Sequence, residues 1–547
     1  MIEKARRAMN DSAAMRWGVV LLVSVGMAVN YYFYDALSPL KEILTTELGW
    51  TSSHYGVFVS AYSVPNTFLF MAVIGGMIAD KLGIRITGTT FTGMMLVGTI
   101  LTWYGGTDTF NDGGPGYALL SSFWTGYPPS LKMMFIGFFV FGLGAETSLV
   151  VISKTIVKWF RGREVAMALA INLALARLGT ALAMIVPPML IEPDWTHSLW
   201  VCVVLMAIGF VTFVFYAFID AKYDKQAAEA AKGEEEPPFR LSDLLALVRN
   251  PSFMFIALLC VTFYSAVFPF LKYAPDLMFN KFDMSLEQSG AIVSMLPFGT
   301  IIFTPLFGWI VDYKGKGASL MILGSLLLVA VHLLFSLTNL TPWVPLFVLG
   351  VAFSLVPAAM WPSLAKIVDD NRMGTAYGLT FSIQNLGLWG FPILIGMALD
   401  GTNPGIADAK EIAAAAAEIR EAAAALAEAD PRKASAEEME TLLAQAREAA
   451  GDLVEIDPSG VDDRYISGFA AARPLAERLA GEENPQAARA LASELAGLEA
   501  RGDRPRYDYT YAVLMLALLG LAGLVFAFLL KAADRRQGYG LDLPNEK

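Results

Sequence analysis

Gly76-Met-Ile-Ala-Asp80-Lys81-Leu-Gly83-Ile-Arg85 and Gly308-Trp-Ile-Val-Asp312-Tyr-Lys314-Gly315-Lys316 are two versions of one short polar loop, each set between long apolar runs. One Gly-x-x-x-Asp-x-x-Gly stretch reads as a tight turn with an N-capping aspartate. Two copies at matched places imply two related halves. The apolar runs around them are roughly twenty residues long, enough to cross a hydrocarbon core of about 30 Å at 1.5 Å per helical residue. Twelve such spans are expected, near 17–38, 55–79, 85–104, 131–153, 164–190, 198–220, 251–278, 287–311, 318–338, 343–366, 374–399 and 508–532.

The composition agrees. Of 547 residues, 55% are hydrophobic and 17% charged, with a mean hydropathy of +0.51, against about 45–50% and about 25% in an ordinary soluble domain. A soluble enzyme, a nucleic-acid binder and a secreted disulfide scaffold are excluded. Cys202 and Cys260 both lie in apolar spans, so neither a disulfide framework nor a zinc cluster is available. The chain carries no phosphate-binding loop and no nucleophile–base set, so no cofactor and no catalytic residue is expected. The net charge of −11 is local: residues 401–507 hold 21 acidic and 12 basic side chains, a net of −9, which leaves −2 for the rest.

The fold expected is an all-α polytopic membrane protein, with twelve transmembrane helices in two six-helix bundles. The first bundle covers 17–220. A cytoplasmic linker, 221–250, carries Glu234-Glu235-Glu236-Pro237-Pro238 and ends in a short amphipathic helix near Leu241–Val248. The second bundle takes 251–400 and 508–532, interrupted by a helical extracytoplasmic insertion at 401–507, and a cytoplasmic tail follows at 533–547. Arg161-Gly162 before the fifth span and Arg372-Met-Gly374-Thr-Ala-Tyr-Gly378 before the eleventh repeat the correspondence of the halves. Parallel halves with matched loops are the internal symmetry of a rocker-type transporter. With the N-terminus inside, about 23 basic residues, Arg6, Arg7, Arg535 and Arg536 among them, fall in cytoplasmic segments. The opposite short loops hold only Lys41, Lys132 and Lys281. Both termini are therefore expected in the cytoplasm, with the protein in a bacterial inner membrane.

An ionisable residue at the bilayer centre costs about 2.5–3.5 kcal/mol on insertion scales, so it faces a cavity or a partner. Glu146 lies thirteen residues before Trp159 at the end of its span, and Arg177 thirteen residues after Glu164 at the start of the next. Both fall about 20 Å from the same interface, on consecutive helices, amid Gly142, Gly144, Ala145, Ala176 and Gly179, which permit close helix approach. They suit either a buried ion pair or a clamp for a zwitterion, with the guanidinium forking onto a carboxylate. Tyr31, Tyr32, Asp35, Tyr264, Phe268, Lys272, Trp361, Gln384 and Asn385 are the further candidates for lining a substrate cavity. Asp35 and Lys272, nearer the outer end, also suit an outer gate. His332, in the ninth span, reads as a structural histidine.

At these residues the chain resembles the major facilitator superfamily, and within it the lysosomal dipeptide transporters and their bacterial relatives. The matching stretches are Arg16-Trp17, Asn30-Tyr-Tyr-Phe-Tyr-Asp35, Phe141-Gly-Leu-Gly-Ala-Glu146, Trp159-Phe-Arg-Gly-Arg-Glu164, Ala176-Arg177-Leu-Gly179, Ala266-Val-Phe-Pro-Phe270, Ala359-Met-Trp-Pro362, Met373-Gly-Thr-Ala-Tyr-Gly378 and Ser382-Ile-Gln-Asn-Leu-Gly387. The resemblance implies ATP-independent movement of short peptides by alternating access. It also implies Glu146 for the peptide amine, Arg177 for its carboxylate, and a gating role for Asp80, Arg85, Asp312 and Lys316. Expected partners are a small peptide and the lipid bilayer, with protons open as a coupled ion. The alternatives are a proton-coupled carrier of small organic anions or amino acids, and a non-transporting receptor that presents its insertion to a protein.

The insertion has 30 alanines among residues 401–507 and no tryptophan. Amphipathic helices are expected at Ile412–Ala429, Ser435–Ala450, Leu475–Leu479 and Gln486–Leu498, broken by Pro431, Pro458, Pro474 and Pro485. The segment reads as an inert appendage or as a docking surface for a protein partner.

Overall fold

The computed structural model describes residues 12–160, 164–227, 241–369, 372–428, 436–456, 461, 463–482, 484–496 and 505–544. Arg6, Arg7, Arg161, Arg163, Pro431, Pro458 and the Glu234–Pro238 run lie outside them. The chain forms two compact units. One comprises Met1–Ile43, Ser52–Met397 and Tyr509–Lys547; the other comprises Leu44–Thr51 and Ala398–Asp508.

The larger unit is the membrane part. Its first half holds α1 (Ala13–Ala36), α2 (Ser52–Ser60), α3 (Val64–Leu69), α4 (Met71–Gly106), α5 (Pro129–Phe160), α6 (Val165–Ile185) and α7 (Thr196–Ala227). A short helix, α8 (Leu241–Val248), leads to the second half: α9 (Pro251–Phe282), α10 (Leu286–Val293), α11 (Met295–Lys314), α12 (Gly317–Leu337), α13 (Trp343–Ile367), α14 (Met373–Thr402) and, after the insertion, the Thr510–Gln537 helix. Among the described residues, eleven helical stretches are long and apolar enough to cross a membrane. The twelfth span is hidden because α4 is two helices. Gly83, inside the first polar loop, takes φ 80° and ψ 156°, a backbone open to glycine without a Cβ penalty. The segment before it is not one continuous helix: it runs through α2, a 3-10 turn at Ala61–Ser63, α3 and a left-handed Phe70 before entering α4. Apolar composition set the position of the second span but gave no sign of these breaks.

The linker begins later than expected, because α7 continues to Ala227. The tail is also partly helical, to Gln537, and then returns to the second polar loop. There Lys316 N donates to Asp542 O (2.9 Å) and Gly317 N to Leu541 O (3.1 Å). Ser319 N donates to Asp542 Oδ1 (3.0 Å), and Lys531 pairs with Asp542 Oδ2 at 2.9 Å. Asp542 thus supplies acceptors to the otherwise unpaired first amides of α12. Leu541, 1% exposed, anchors the return.

The smaller unit contains α15 (Ile406–Glu428), α16 (Ala436–Glu455), α17 (Asp463–Gly481) and α18 (Pro485–Ala496). Their apolar stripes meet in one core that includes Ile412, Ile419, Leu426, Leu453, Leu479, Leu491 and Leu495. The expected break at Pro474 is absent. Proline loses one backbone bond inside α17, while burial of Ala476 and Leu479 beyond it holds the helix together. Pro485 opens α18, where its missing N–H costs nothing.

Candidate functional site

Two close helix approaches build the site. A Cβ on Gly142 would meet Tyr62 O at 2.5 Å, and one on Gly179 would meet Ala28 O at 2.1 Å, so only glycine fits at either place. The first contact seats α5 against the Ala61–Ser63 turn one helical turn from Glu146. The second seats α6 against α1 beside Arg177 and one turn from Tyr31. The Arg177 guanidinium lies 5.7 Å from the Tyr31 ring centroid and 5.2 Å from that of Phe353. Tyr31 is within electrostatic reach of Arg177, Glu146 and Asp35. Glu146 and Arg177 are each half-buried. Among the described residues no ion pair joins them.

The second half contributes an aromatic wall. Tyr264 stacks on Phe268 (5.6 Å), Phe268 meets Phe353 edge-on (5.4 Å), and Trp361 packs against Tyr377 (5.4 Å) and Phe381 (4.9 Å). Trp361 Nε1 donates to the Tyr264 hydroxyl at 3.2 Å, so both polar tips are satisfied. Tyr264 is itself within reach of Arg177. Two small cavities of the unit lie elsewhere: one is lined by Tyr273, Leu277 and Tyr509, the other by Asn30, Thr92 and Ser148.

Asp35 and Lys272 are brought together, but onto each other. Lys272 Nζ sits 2.6 Å from Asp35 Oδ1, with side chains 3% and 5% exposed. It also donates to Tyr34 O and stands 3.4 Å from the Tyr34 ring centroid. A second buried pair lies beyond it: Lys41 Nζ to Asp276 Oδ2, 2.8 Å, both side chains 1% exposed. The Tyr509 hydroxyl donates to the same carboxylate. Each pair joins the first half to the second. The Tyr55 hydroxyl adds a bond to Lys272 O at 2.9 Å, and that of Tyr273 reaches Ser52 O at 3.4 Å. Among the described residues, the hydrogen bonds and ion pairs that cross between the halves gather at this end. The Asp35–Lys272 contact therefore fits the gate alternative better than the cavity-lining one, because neither charge is left over for a ligand.

Three further candidates make their own contacts. Tyr32 is buried and in reach of Cys202 on α7. Gln384 accepts from Cys260 Sγ (3.5 Å) and Asn385 donates to Phe381 O (3.0 Å), both inside the second half. His332 is fully buried, with Nδ1 2.8 Å from Leu328 O.

At the far end, Asp80 pairs with Lys154, and Arg85 lies 3.9 Å from Asp220. Lys316, at φ 70°, caps α12 and bonds the tail through its amide, while Asp312 is half-buried. Asp220, which sequence reasoning missed, is a fully buried hub. It takes bonds from Lys158 (2.9 Å to each oxygen), Trp159 Nε1 (3.1 Å) and the Tyr216 hydroxyl (3.1 Å). Tyr34, Tyr62, Phe353, Lys41, Asp276 and Tyr509 were missed as well. A charge such as Asp276 inside an apolar run was the available signal.

Two matched sets of spans, sealed by ionic contacts at one end and enclosing two charges among aromatic rings, define a membrane transporter. The chain belongs to the Major Facilitator Superfamily, whose family model matches residues 23–392; it is a multi-pass membrane protein and not an enzyme. It is similar to the lysosomal dipeptide transporter MFSD1 of Danio rerio, 28% identical over 382 residues, which cover 68% of this chain and 78% of that protein. It is also similar to the hexuronate transporter of Bacillus subtilis, 24% identical over 402 residues, covering 70% of this chain and 88% of that one. Among solved structures, a bacterial homolog of the human lysosomal transporter Spinster, inward-facing and occupied, shares the fold. The TM-score is 0.57 at 13% identity, over 96% of this chain and 98% of that one.

Proposed function

We propose that this protein carries short peptides, dipeptides foremost, by alternating access, with Glu146 holding the peptide amine and Arg177 its carboxylate. The observation that carries this reading is the pair's incompleteness. Opposite charges in a low-dielectric interior attract strongly, yet no ion pair joins these two; instead the Tyr31 and Phe353 rings stand against Arg177, with Tyr264 and Phe268 packed on Phe353. A zwitterion supplies what each lacks: an ammonium for the carboxylate and a carboxylate for the planar guanidinium fork. The aromatic rings offer apolar faces to side chains of varied shape. The likeness to a dipeptide transporter over most of both chains points the same way.

In this reading Asp35–Lys272 and Lys41–Asp276 close the end opposite the two termini, and the Asp80, Arg85, Asp312 and Lys316 loops close the cytoplasmic end in the alternate state. The basic residues of the short loops support that orientation. A second reading rests on the hexuronate transporter relative: Arg177 would then hold the carboxylate of an organic anion, with Glu146 free to carry a proton.

Thermal stabilisation of the purified protein separates the two. Stabilisation by dipeptides, lost in both Glu146→Gln and Arg177→Gln, followed by uptake into proteoliposomes, supports the peptide reading. Stabilisation by hexuronates that survives Glu146→Gln supports the anion reading.

A further inference from the structure

The Lys41–Asp276 pair has a third member, and it comes from the chain's return out of the insertion. Tyr509 is the first residue of the larger unit after the insertion, and its hydroxyl donates to Asp276 Oδ2. The same oxygen takes Lys41 Nζ at 2.8 Å. Asp276 Oδ1 is buried with no hydrogen-bond partner among the described residues. Tyr509 is 3% exposed and lines a small cavity with Tyr273, Leu277 and Val513. One residue earlier, the Asn403 side chain grips both backbone groups of Asp508. Asp508 N donates to Asn403 Oδ1 at 2.7 Å, and Asn403 Nδ2 donates to Asp508 O at 3.2 Å. Asn403 is held in turn on the end of α14, its backbone N and its Nδ2 donating to Leu399 O at 3.0 and 2.9 Å. A peptide unit is planar, so a hold on the Asp508 carbonyl sets the plane that leads into Tyr509.

We propose that Asn403 and Tyr509 are positioning residues of the Lys41–Asp276 closure: the neck of the insertion aims the Tyr509 hydroxyl at the carboxylate that Lys41 must meet. The inference rests on the reading of this pair as one closure of an alternating-access cycle. A buried ion pair offsets the cost of leaving water only when its remaining hydrogen-bonding positions are filled. With this end open, water can bond Asp276 in place of Tyr509. With it closed and dry, Lys41 and Tyr509 are the groups that bond the carboxylate among the described residues, and Oδ1 already goes without. The Tyr509 bond is therefore worth more in the closed form than in the open one, although Tyr509 and Asp276 belong to the same half. The clasp at Asn403 acts one step back, by fixing the backbone from which Tyr509 projects. The base of the insertion is then part of the closing machinery.

The test reads the opening of this end directly. Full-length protein with Leu119→Cys and Leu340→Cys, and with Cys202→Ala and Cys260→Ala, is spin-labelled and placed in nanodiscs. Leu119 and Leu340 are exposed, in the connections that follow α4 and α12, so the distance between the labels distinguishes the open from the closed end. Double electron–electron resonance gives the open-to-closed ratio. Tyr509→Phe keeps the ring and removes the hydroxyl. It should raise the ratio about tenfold, the scale of one hydrogen bond to a charged group. Asn403→Ala should raise it to a similar degree, and the double variant no further than Tyr509→Phe alone, because both act through one hydroxyl. An unchanged ratio in Tyr509→Phe overturns the proposal. So do additive effects of the two substitutions, or an Asn403→Ala variant that lowers Tm without moving the ratio. Asp276→Asn checks the underlying reading: a ratio that stays put there removes the closure itself. A ratio that rises in Asp276→Asn but not in Tyr509→Phe keeps the closure and removes the part given to the neck.

Discussion

Asp35 and Lys272 meet at 2.6 Å and complete each other, whereas Glu146 and Arg177, reached one turn along α1 through Tyr31, are not joined. Both sets are opposite charges inside an apolar bundle. They differ in what surrounds them. The first set is walled in by Tyr34, Tyr55 and backbone carbonyls that belong to both halves, so its bonds close an interface. The second is held on one half, with the Tyr31 ring of that half and the Phe353 ring of the other against Arg177. Buried opposite charges that bond each other read as a latch, and buried charges that stop short of bonding read as a receptor for something that carries both signs.

The latch side gives the largest expected effect. Lys41→Met leaves Asp276 buried without its cation, and losing one member of a buried pair costs about 3–5 kcal/mol. The double replacement Lys41→Met with Asp276→Leu should recover much of that loss, because the desolvated charge is gone as well. Thermal unfolding in detergent measures both, and equal destabilisation by the single and double variants would remove the latch from the comparison. Asp220→Asn should cost less, about 1–3 kcal/mol for one weakened acceptor in a buried network, read in the same unfolding series. An unchanged midpoint there would show that the hub carries no net stability.

On the receptor side, Phe353→Leu removes one ring from Arg177. A cation–π contact is worth about 0.5–2 kcal/mol, so dipeptide affinity should weaken by roughly two- to thirtyfold with the fold intact. Unchanged affinity would show that Arg177 needs no aromatic support. The smallest effect belongs to a half-exposed charge that fits neither class. Burial pushes the Asp542 carboxyl up, but hydrogen bonds from Lys531 and Ser319 outweigh it and leave the pKa below its ordinary value. A depressed folded value means that the contact contributes fully above about pH 4 and is lost as the pH falls through the folded value. Protection of the Gly317 and Ser319 amides against hydrogen exchange, corrected for the intrinsic rate at each pH, should therefore fall in acid in the wild type. In Asp542→Asn that pH dependence should be absent.

Legibility in the sequence followed the same division. Hydropathy placed the spans because each apolar run must match the hydrocarbon thickness, and the matched Asp80 and Asp312 loops exposed the two halves. Glu146 and Arg177 stood out as intramembrane charges by depth, since position along a helix converts directly into height in the bilayer. Asp35 and Lys272 were legible as intramembrane charges but not as each other's partners, because they come from helices some 240 residues apart in the chain. The Asp220 hub was hidden for a related reason: its partners arrive from α4 and α5 as well as from its own helix, and it lies at the end of a span, where a charge is ordinary. The Tyr62 turn was invisible because Ala61-Tyr-Ser63 is as compatible with a continuous helix as with a 3-10 break. The continuity of α17 through Pro474 came from the burial of Ala476 and Leu479, which local propensity does not weigh.

The measurement that tests the central claim most directly varies the ligand against the protein. Binding of alanyl-alanine, its N-acetyl derivative and its C-terminal amide would be titrated on wild type, Glu146→Gln and Arg177→Gln. The account predicts that wild type binds the free dipeptide best, that the N-acetyl derivative is indifferent to Glu146→Gln, and that the amide is indifferent to Arg177→Gln. Each lost charge on one side then removes the effect of its partner on the other. Equal binding of all three ligands by wild type, or the same sensitivity of both derivatives to both substitutions, would contradict it.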